Sequence, residues 1–328
     1  MKLNLIKLGS FLFAAIAITS CSTGGSQEDL SFNGKYLIMP SGAPTLGTYK
    51  LITEGKVDVL TDATNIPAQL SKGDYPFVIF DSTKAVTLLK NQGENAKYSF
   101  VKMITGGNFH LFAFNKTEED ATNLTITSED NVYGFQENNT PDMLFKTIYK
   151  DAGGCDVYLD SISSLRDTLL TMTADYKING EVVDYAVVAE PAATAIKTNL
   201  TKKGIKLVDI NLQTELKKVT TWDKDYIPQA GLFVRNDVSK DSDLYKTVLS
   251  EINSSISLAL SKPGDVKNTL LSAYDNDDSK VTSNFGFSSS VLEGVQGSDG
   301  SKNGFGIVPN DVTFTVEEIT SFNGLLAK

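Results

Sequence analysis

The chain of 328 residues carries 40 acidic and 30 basic side chains, which gives a formal net charge of −10. Such an acidic balance argues against a nucleic-acid-binding protein and against direct adsorption to anionic lipid. With one histidine and two cysteines, we expect no metal site, no cofactor and no catalytic residue, because chemistry needs a nucleophile or base with a tuned partner.

The chain opens with the pattern of an exported lipoprotein. An apolar run at 8–18 is shorter than the roughly 20 residues that span a bilayer, so it predicts a signal peptide over residues 1–20. The sequence Ile-Thr-Ser-Cys that follows resembles a bacterial lipobox, which implies that Cys21 carries lipid, with palmitate among its acyl chains. An ordinary signal peptide with an incidental cysteine is the alternative. Residues 21–32 would then form a flexible tether.

Strands and helices alternate along most of the remaining chain. Short apolar runs bounded by turn residues predict strands at 36–39, 57–60, 77–80, within 98–114 on both sides of Gly106-Gly107, and at 132–135, 157–159, 182–189, 205–210 and 231–234. Helical periodicity with start and stop signals predicts helices at 46–52, 66–70, 81–93, 143–149, 163–174, 239–262, 263–276 and within 312–325. The strand–helix repeats indicate mostly parallel sheets with crossover helices.

This alternation predicts an α/β protein with two lobes, since the chain is longer than one compact core usually holds. Polar segments at 115–129 and 220–230 suit crossings between the lobes. We expect a clamshell with 33–118 and 228–328 in lobe 1 and 119–227 in lobe 2. Each lobe would be a mixed, mostly parallel sheet flanked by helices. The ligand cleft would lie at the carboxyl ends of the strands, where open α/β sheets bind ligands.

Three predicted strands end in small or polar residues at the start of a helix, at 41–45, 81–83 and 138–141. Free backbone N–H groups and the positive end of the helix dipole would make each turn a receiver for an anionic or polar ligand group. The alternative is ordinary N-capping, which every helix requires.

Four motifs occur in order behind the lipobox: PSGAPTLGTYKL, KYSFVKMITGGNFHLF, VDYAVVAEPAAT and YIPQAGLFV. Together they resemble the substrate-binding lipoproteins of bacterial ABC importers, of the type II periplasmic-binding fold. The most similar groups are the nitrate/sulfonate/taurine-type and thiamine-precursor-type proteins. The resemblance implies a monomer, held on the extracytoplasmic face of the cell membrane only by its lipid. It would capture a small solute and deliver it to permease and ATPase subunits without changing it chemically.

The resemblance also implies which residues face the solute. Carried over position by position, they are Ser41, Gly42, Ala43, Thr45, Asp81, Ser82, Thr105, Gly107, Asn108, Asn138, Asn139, Thr140 and Glu190. At Gly106, relatives commonly carry a tryptophan, so the stacking face that its ring would offer is lost here.

Glu190 ends an apolar strand, and Pro191 then starts a helix without leaving an N–H group unused. The carboxylate would contact a ligand amine or amide, hold hinge groups that set the closed geometry, or cap the helix. Trp222, in the second crossing, would stack on a flat ligand ring or pack the hinge. His110 and Cys155 are expected to be structural.

The leading hypothesis is an extracytoplasmic solute-binding lipoprotein of an ABC transporter. Its solute would be a sulfonate- or nitrate-like anion or a thiamine-precursor-like heterocycle. Arg166 and Arg235 are the only arginines, which disfavours a polyphosphate that needs several guanidinium groups. The alternatives are a surface lipoprotein with an adhesin role and an enzyme on the same fold. One histidine without a recognisable catalytic motif disfavours the enzyme.

Overall fold

The computed structural model describes residues 30–326, apart from positions 62, 123 and 298. The strands are β1 (Leu37–Pro40), β2 (Val57–Leu60), β3 (Phe77–Asp81), β4 (Tyr98–Thr105), β5 (Phe109–Phe114), β6 (Val132–Phe135), β7 (Val157–Leu159), β8 (Lys177–Ile178), β9 (Glu181–Val182), β10 (Tyr185–Ala189), β11 (Leu207–Asn211) and β12 (Ala230–Arg235). The helices are α1 (Ala43–Leu46), α2 (Tyr49–Thr53), α3 (Ile66–Lys72), α4 (Ser82–Gln92), α5 (Glu118–Thr122), α6 (Thr140–Ile148), α7 (Ile162–Leu169), α8 (Ala192–Lys202), α9 (Leu212–Val219), α10 (Asp243–Ser261), α11 (Pro263–Ala273), α12 (Asp278–Phe285), α13 (Ser289–Gln296) and α14 (Val316–Leu325). The predicted signal peptide, Cys21 and most of the tether lie outside the described residues.

Lobe 1 is built on a five-stranded mixed sheet in the order β2-β1-β3-β12-β4. β1 runs parallel to β2 and β3, whereas β12 runs antiparallel to β3 and β4. Helices α1, α2, α10, α11, α12 and α13 cover one face, and α3, α4 and α14 cover the other. Because both faces are covered, the central strands are almost uninterrupted apolar runs, as in LIMP of β1.

Lobe 2 is built on a second five-stranded sheet in the order β11-β5-β10-β6-β7. β5 runs antiparallel to β10 and β11, while β6 runs parallel to β7 and β10. Helices α7 and α8 pack on one face, and α6 and α9 pack on the other. Strands β8 and β9 form a separate small hairpin. The two sheets confirm the predicted two-lobed α/β fold class.

The chain crosses between the lobes from β4 to β5 and again between α9 and β12. Sheet pairing places the first crossing earlier than the predicted boundary at 118, because β5 bonds to β10 and β11 in the second sheet. Residues 109–118 therefore belong with lobe 2. The break falls at Gly106, where a Cβ atom would lie 2.4 Å from the carbonyl oxygen of Ile227 in the other crossing.

Two predicted elements are divided in the structure. The helix expected at 46–52 is split into α1 and α2 around Gly47, where a Cβ atom would lie 2.7 Å from the Cγ2 atom of Ile104. The strand expected at 182–189 is split into β9 and β10, because the N–H group of Val183 turns away to bond with the carbonyl of Tyr176. Helices α5, α9, α12 and α13 have no counterpart among the predictions.

Candidate functional site

A cavity of about 630 Å³ lies between the two lobes. Lobe 1 lines it with residues that follow β1, β2 and β3, and lobe 2 with residues that follow β6, β7 and β10. The antiparallel strands β5 and β12 begin at the same edge, where Asn108 and Gln229 also line the cavity. The cavity thus lies at the carboxyl ends of the parallel strands of both sheets, where the cleft was expected.

Eight of the predicted ligand-facing residues line this cavity, and they come from both sides of it. They are Ser41, Gly42, Ala43, Asp81, Asn108, Asn139, Thr140 and Glu190. The turn after β1 and the carboxylate after β10 therefore border one gap.

Three predicted residues are turned into the protein interior instead. Thr45 is fully buried, and its hydroxyl donates to the carbonyl oxygen of Gly42 at 2.7 Å. Ser82 and Thr105 are also fully buried within lobe 1. Their side chains serve the packing of lobe 1 and do not line the cavity.

Gly107 and Asn138 also lie away from the cleft. Gly107 borders a second cavity, of about 540 Å³, next to the two crossings. The backbone N–H group of Asn138 donates to Oδ2 of Asp142 at 2.7 Å, and its side chain is exposed. Neither residue lines the cavity between the lobes.

Trp222 packs the hinge, which was the alternative to ligand stacking. Its indole N–H group donates to the carbonyl oxygen of Tyr226 at 3.0 Å. The ring stacks on Phe314 with centroids 6.4 Å apart and meets Phe322 edge-on at 4.9 Å. Because these rings enclose it, Trp222 has no face directed at the cleft.

In the turn after β1, the N–H groups of two predicted ligand receivers are already bonded within lobe 1. The N–H groups of Ser41 and Gly42 donate to the carbonyl oxygens of Leu60 and Phe285, both at 2.8 Å. Gly42 adopts a φ of 94°, a left-handed conformation that favours glycine. The turn is therefore a rigid wall of the cleft more than a set of free donors.

The starts of α4 and α6 are N-capped by their own side chains. Oδ1 of Asp81 accepts from the N–H groups of Thr83 and Lys84, both at 3.0 Å. Oδ1 of Asn139 accepts from the N–H group of Asp142 at 3.0 Å. Ordinary N-capping, the alternative interpretation, describes both turns.

The other oxygen of Asp81 joins the two lobes. Oδ2 accepts a hydrogen bond from the hydroxyl of Thr140 at 2.9 Å. Asp81 belongs to lobe 1, whereas Thr140 is the first residue of α6 in lobe 2. This hydrogen bond therefore holds the lobes together at the edge of the cavity.

Glu190 is buried, with 8% of its surface exposed. It lies just before Pro191, the N-cap residue of α8, and the peptide bond between the two residues is cis. Its Oε2 accepts from the N–H group of Thr194 at 2.9 Å, and its Oε1 accepts from the Thr194 hydroxyl at 2.7 Å. Burial raises the pKa of Glu190, and the charge of His110 and the bonds from Thr194 oppose this. Of the three predicted roles, helix capping is the one with direct contacts.

Amide side chains connect the two crossings below the cavity. The N–H group of Glu190 donates to the carbonyl oxygen of Asn108 at 2.9 Å, and Nδ2 of Asn108 donates to the carbonyl oxygen of Glu190 at 3.2 Å. The Nε2 atom of Gln229 donates to Oδ1 of Asn108 at 2.5 Å. Gln229 is a cleft residue that the sequence analysis missed, although it precedes a predicted strand in the YIPQAGLFV motif.

Each lobe also brings one cationic side chain to the cavity. Lys84 lies in the first turn of α4 in lobe 1, and Arg166 lies on α7 in lobe 2. The guanidinium of Arg166 contacts Oδ1 of Asp167 at 2.8 and 2.9 Å, and Asp167 is largely exposed. Such an exposed ion pair is weak, typically about 0–1 kcal/mol, so Arg166 is free to change partner.

Phenyl rings supply much of the apolar wall. Phe80 lies at the end of β3, Phe135 at the end of β6, Phe109 at the start of β5, and Phe287 between α12 and α13. Two of these positions, Phe80 and Phe135, are the last residues of predicted strands, which was the sequence signal that could have identified them. The wall offers flat apolar surface beside a few polar groups, as in most small-molecule sites.

A charged cluster lies behind the cleft in lobe 2. Nδ1 of His110 lies 2.7 Å from Oδ1 of Asp209, and Nζ of Lys197 lies 3.0 Å from its Oδ2. Burial raises the pKa of Asp209, but the hydrogen bond and charge of His110 and the charge of Lys197 hold it below its ordinary value. Elsewhere in lobe 2, burial raises the pKa of the Cys155 thiol to about 12, which disfavours the thiolate form that a nucleophile needs.

Within residues 30–326, apart from the three gaps, no group of three histidine, cysteine, aspartate or glutamate side chains is arranged to hold a metal ion. In the same part of the chain, no helix is long and apolar enough to cross a membrane.

No protein-family model and no curated protein matches this sequence. The fold, however, is similar to that of solved structures. One of them, an ABC transporter from Parabacteroides distasonis, has a TM-score of 0.59 at 14% identity, over 88% of this chain and 90% of its own. The chain has the type II periplasmic-binding-protein fold. The alkanesulfonate-binding protein SsuA from Xanthomonas axonopodis pv. citri, bound to MOPS, is similar as well. Its TM-score is 0.54 at 11% identity, over 89% of this chain and 90% of its own.

A third similar structure is the ligand-binding component of an ABC-type import system from Staphylococcus aureus, with zinc bound. Its TM-score is 0.50 at 12% identity, over 88% of this chain and 89% of its own. Because each match covers nearly nine-tenths of both chains, the similarity to this fold extends over both lobes.

Proposed function

We propose that this chain is the extracytoplasmic solute-binding component of an ABC importer, held on the cell membrane by lipid on Cys21. The fold, the four motifs and the lipobox support this proposal. The observation that carries it is the cavity lined by both lobes and bordered by the hydrogen bond between Asp81 and Thr140. A solute that contacts both lobes binds the closed form better and shifts the population toward it.

The proposed solute is an organic anion with an apolar body. Lys84 and Arg166 bring positive charge from opposite lobes, whereas the oxygens of Asp81 and Glu190 already accept hydrogen bonds from the protein. Four phenyl rings and a volume of about 630 Å³ fit an organic molecule. A nitrate ion would leave most of that volume and all of the apolar wall unused.

The same contacts favour a sulfonate-like solute over a thiamine-precursor-like heterocycle. An amino-heterocycle needs a free acceptor for its amino group, and both cleft carboxylates are engaged in hydrogen bonds to helix starts. A sulfonate needs donors and cations, which Lys84 and Arg166 supply.

Thermal unfolding with a panel of solutes tests this assignment. The panel contains MOPS, ethanesulfonate, benzenesulfonate, sodium nitrate and 4-amino-2-methylpyrimidine. A true ligand at 100 times its dissociation constant stabilises the folded protein by about 2.7 kcal/mol. We expect stabilisation by one or more of the organic sulfonates and none by nitrate. Stabilisation by the aminopyrimidine alone would reverse the choice, and no response to any member would favour a surface-interaction protein.

The lipid anchor is tested separately, by fractionation of cells that express the Cys21→Ser chain. We expect the unsubstituted protein in the membrane fraction and the variant in the soluble extracytoplasmic fraction. Cys155→Ser is the matched control and should remain with the membrane. A Cys21→Ser protein that stays membrane-bound would contradict anchoring through this cysteine.

A further inference from the structure

A second contact between the lobes lies at the rim of the cleft, where α8 of lobe 2 packs against α13 of lobe 1. The close approach there is between Thr194 and Gly294. A Cβ atom on Gly294 would lie 3.1 Å from the Cγ2 methyl of Thr194. Carbon atoms pack best at about 3.5–4.0 Å, so glycine at this position lets the two helices meet.

Thr194 is held in position by Glu190. The Thr194 hydroxyl donates to Oε1 at 2.7 Å, and the Thr194 N–H group donates to Oε2 at 2.9 Å. Because the hydroxyl bond fixes the χ1 angle of Thr194, it also fixes the direction of the methyl group on the same Cβ atom. The carboxylate therefore determines where the methyl group meets lobe 1.

We propose that Glu190 is a positioning residue for lobe closure: it fixes Thr194 so that the Thr194 methyl packs on Gly294 of the opposite lobe. That this contact helps the lobes to close around a solute rests on the proposed function. The contact itself is a feature of the closed arrangement of the lobes. Ala195 of α8 and Val291 of α13 line the cavity beside it, so the contact breaks when the lobes separate.

Gly294→Ala separates closure from folding. Alanine is the better helix former in α13, so lobe 1 should be at least as stable as before. When the lobes are closed, its Cβ atom would lie 3.1 Å from the Thr194 methyl, so one of the two groups must shift by a few tenths of an ångström. Thr194→Ser removes that methyl and keeps the hydroxyl bonded to Glu190. Gly324→Ala, in α14, is the matched control, because nothing lies within 4 Å of its added Cβ atom.

Small-angle X-ray scattering of the purified protein without added solute provides the readout, because opening increases the radius of gyration. We expect Gly294→Ala, and more strongly Gly294→Val, to lower the closed-to-open ratio by roughly fivefold to a hundredfold, the range that overpacking produces. Adding Thr194→Ser to Gly294→Ala should restore the compact form. Gly324→Ala should scatter as the unsubstituted protein does.

Glu190→Ala provides the second arm. A positioning role predicts a larger radius without solute, because the variant leaves no side-chain acceptor for the N–H group and the hydroxyl of Thr194. An unchanged radius for Glu190→Ala would overturn the proposal and return Glu190 to ligand contact. Equal radii for Gly294→Val and the unsubstituted protein, both folded by circular dichroism, would also overturn it.

If Gly294→Val does not fold, the Gly294→Ala and Thr194→Ser pair decides: restored compactness supports the contact, and no restoration contradicts it. Because every scattering measurement is made without solute, its result is independent of whether the solute panel succeeds.

Discussion

Asp81 and Glu190 occupy equivalent places in the two lobes and act differently. Each lies where a strand of its sheet runs into a helix, and each accepts hydrogen bonds from a threonine in the first turn of that helix, Thr83 or Thr194. Asp81 uses one oxygen for this and leaves the other for Thr140 across the cleft. Both carboxylate oxygens of Glu190 accept hydrogen bonds from Thr194, within lobe 2.

The difference gives the cleft two kinds of closure contact. The bond between Asp81 and Thr140 exchanges with bonds to water when the lobes separate, so its net contribution is about 0.5–1.5 kcal/mol. The contact between Thr194 and Gly294 depends on shape, and even one added methyl group disturbs it. One side of the cleft therefore tolerates solvent and the other depends on close packing.

The largest expected effect is on stability, from Glu190→Ala. It removes the acceptor for the first turn of α8 and leaves the Thr194 hydroxyl unpaired, so we expect a loss of about 2 kcal/mol in the free energy of unfolding. Urea denaturation measures it. Glu137→Ala, an exposed carboxylate in the same lobe, should change stability by less than about 0.5 kcal/mol. Equal losses for the two variants would contradict the structural role of Glu190.

Asp81→Ala should have a smaller effect, a loss of about 1 kcal/mol, because only the N-cap of α4 is removed within lobe 1. Thr140→Val should leave the free energy of unfolding nearly unchanged and increase the open population. In a double-mutant cycle scored by scattering, the two substitutions should couple by about 1 kcal/mol. Additive effects on the closed-to-open ratio would show that the bond across the cleft is not formed in solution.

The smallest expected effect is a pair of pH dependences with opposite signs. Burial raises the pKa of Glu190, so the folded state binds more protons than the unfolded chain above about pH 4.3, and the contribution of Glu190 to stability falls as pH rises through its folded pKa. The pKa of Asp209 is lowered by His110 and Lys197 against the effect of burial. Its contribution is present above about pH 3.9 and is lost as pH falls through its folded pKa.

Urea midpoints between pH 3 and pH 7 test this pair. Glu190→Gln should gain stability relative to the unsubstituted protein as pH rises. Asp209→Asn should be less stable than the unsubstituted protein near pH 7, and this difference should shrink as the pH falls through the folded pKa of Asp209. Parallel curves for all three proteins would contradict both assignments.

Much of the fold was predictable from sequence, because strands and helices with recognisable local patterns alternate along the chain. The parallel strands are short apolar runs that end in turn residues, and these runs identify β1, β2, β3, β6 and β7 nearly to the residue. The first crossing was misplaced, since the apolar pattern of β5 is the same whichever sheet it joins. Only its pairing with β10 and β11 assigns it to lobe 2.

The site was only partly predictable, because side-chain direction depends on tertiary contacts. Position at a strand end identified Asp81 and Glu190 but not the hydrogen bonds that engage them. Arg166 lies within a predicted helix, yet the sequence does not indicate which face meets the cleft. The Ser- and Gly-rich sequence around Gly294 is typical of a loop, yet this residue lies inside α13.

The most direct test of the central claim is a calorimetric titration of the purified protein with MOPS or with another sulfonate that the thermal panel selects. An organic anion held between Lys84 and Arg166 predicts one site per chain. The Lys84→Gln/Arg166→Gln double variant should then bind at least about 100-fold more weakly, whereas Lys90→Gln, on the same helix α4, should bind normally. Equal affinity for the double variant and the unsubstituted protein would contradict the account.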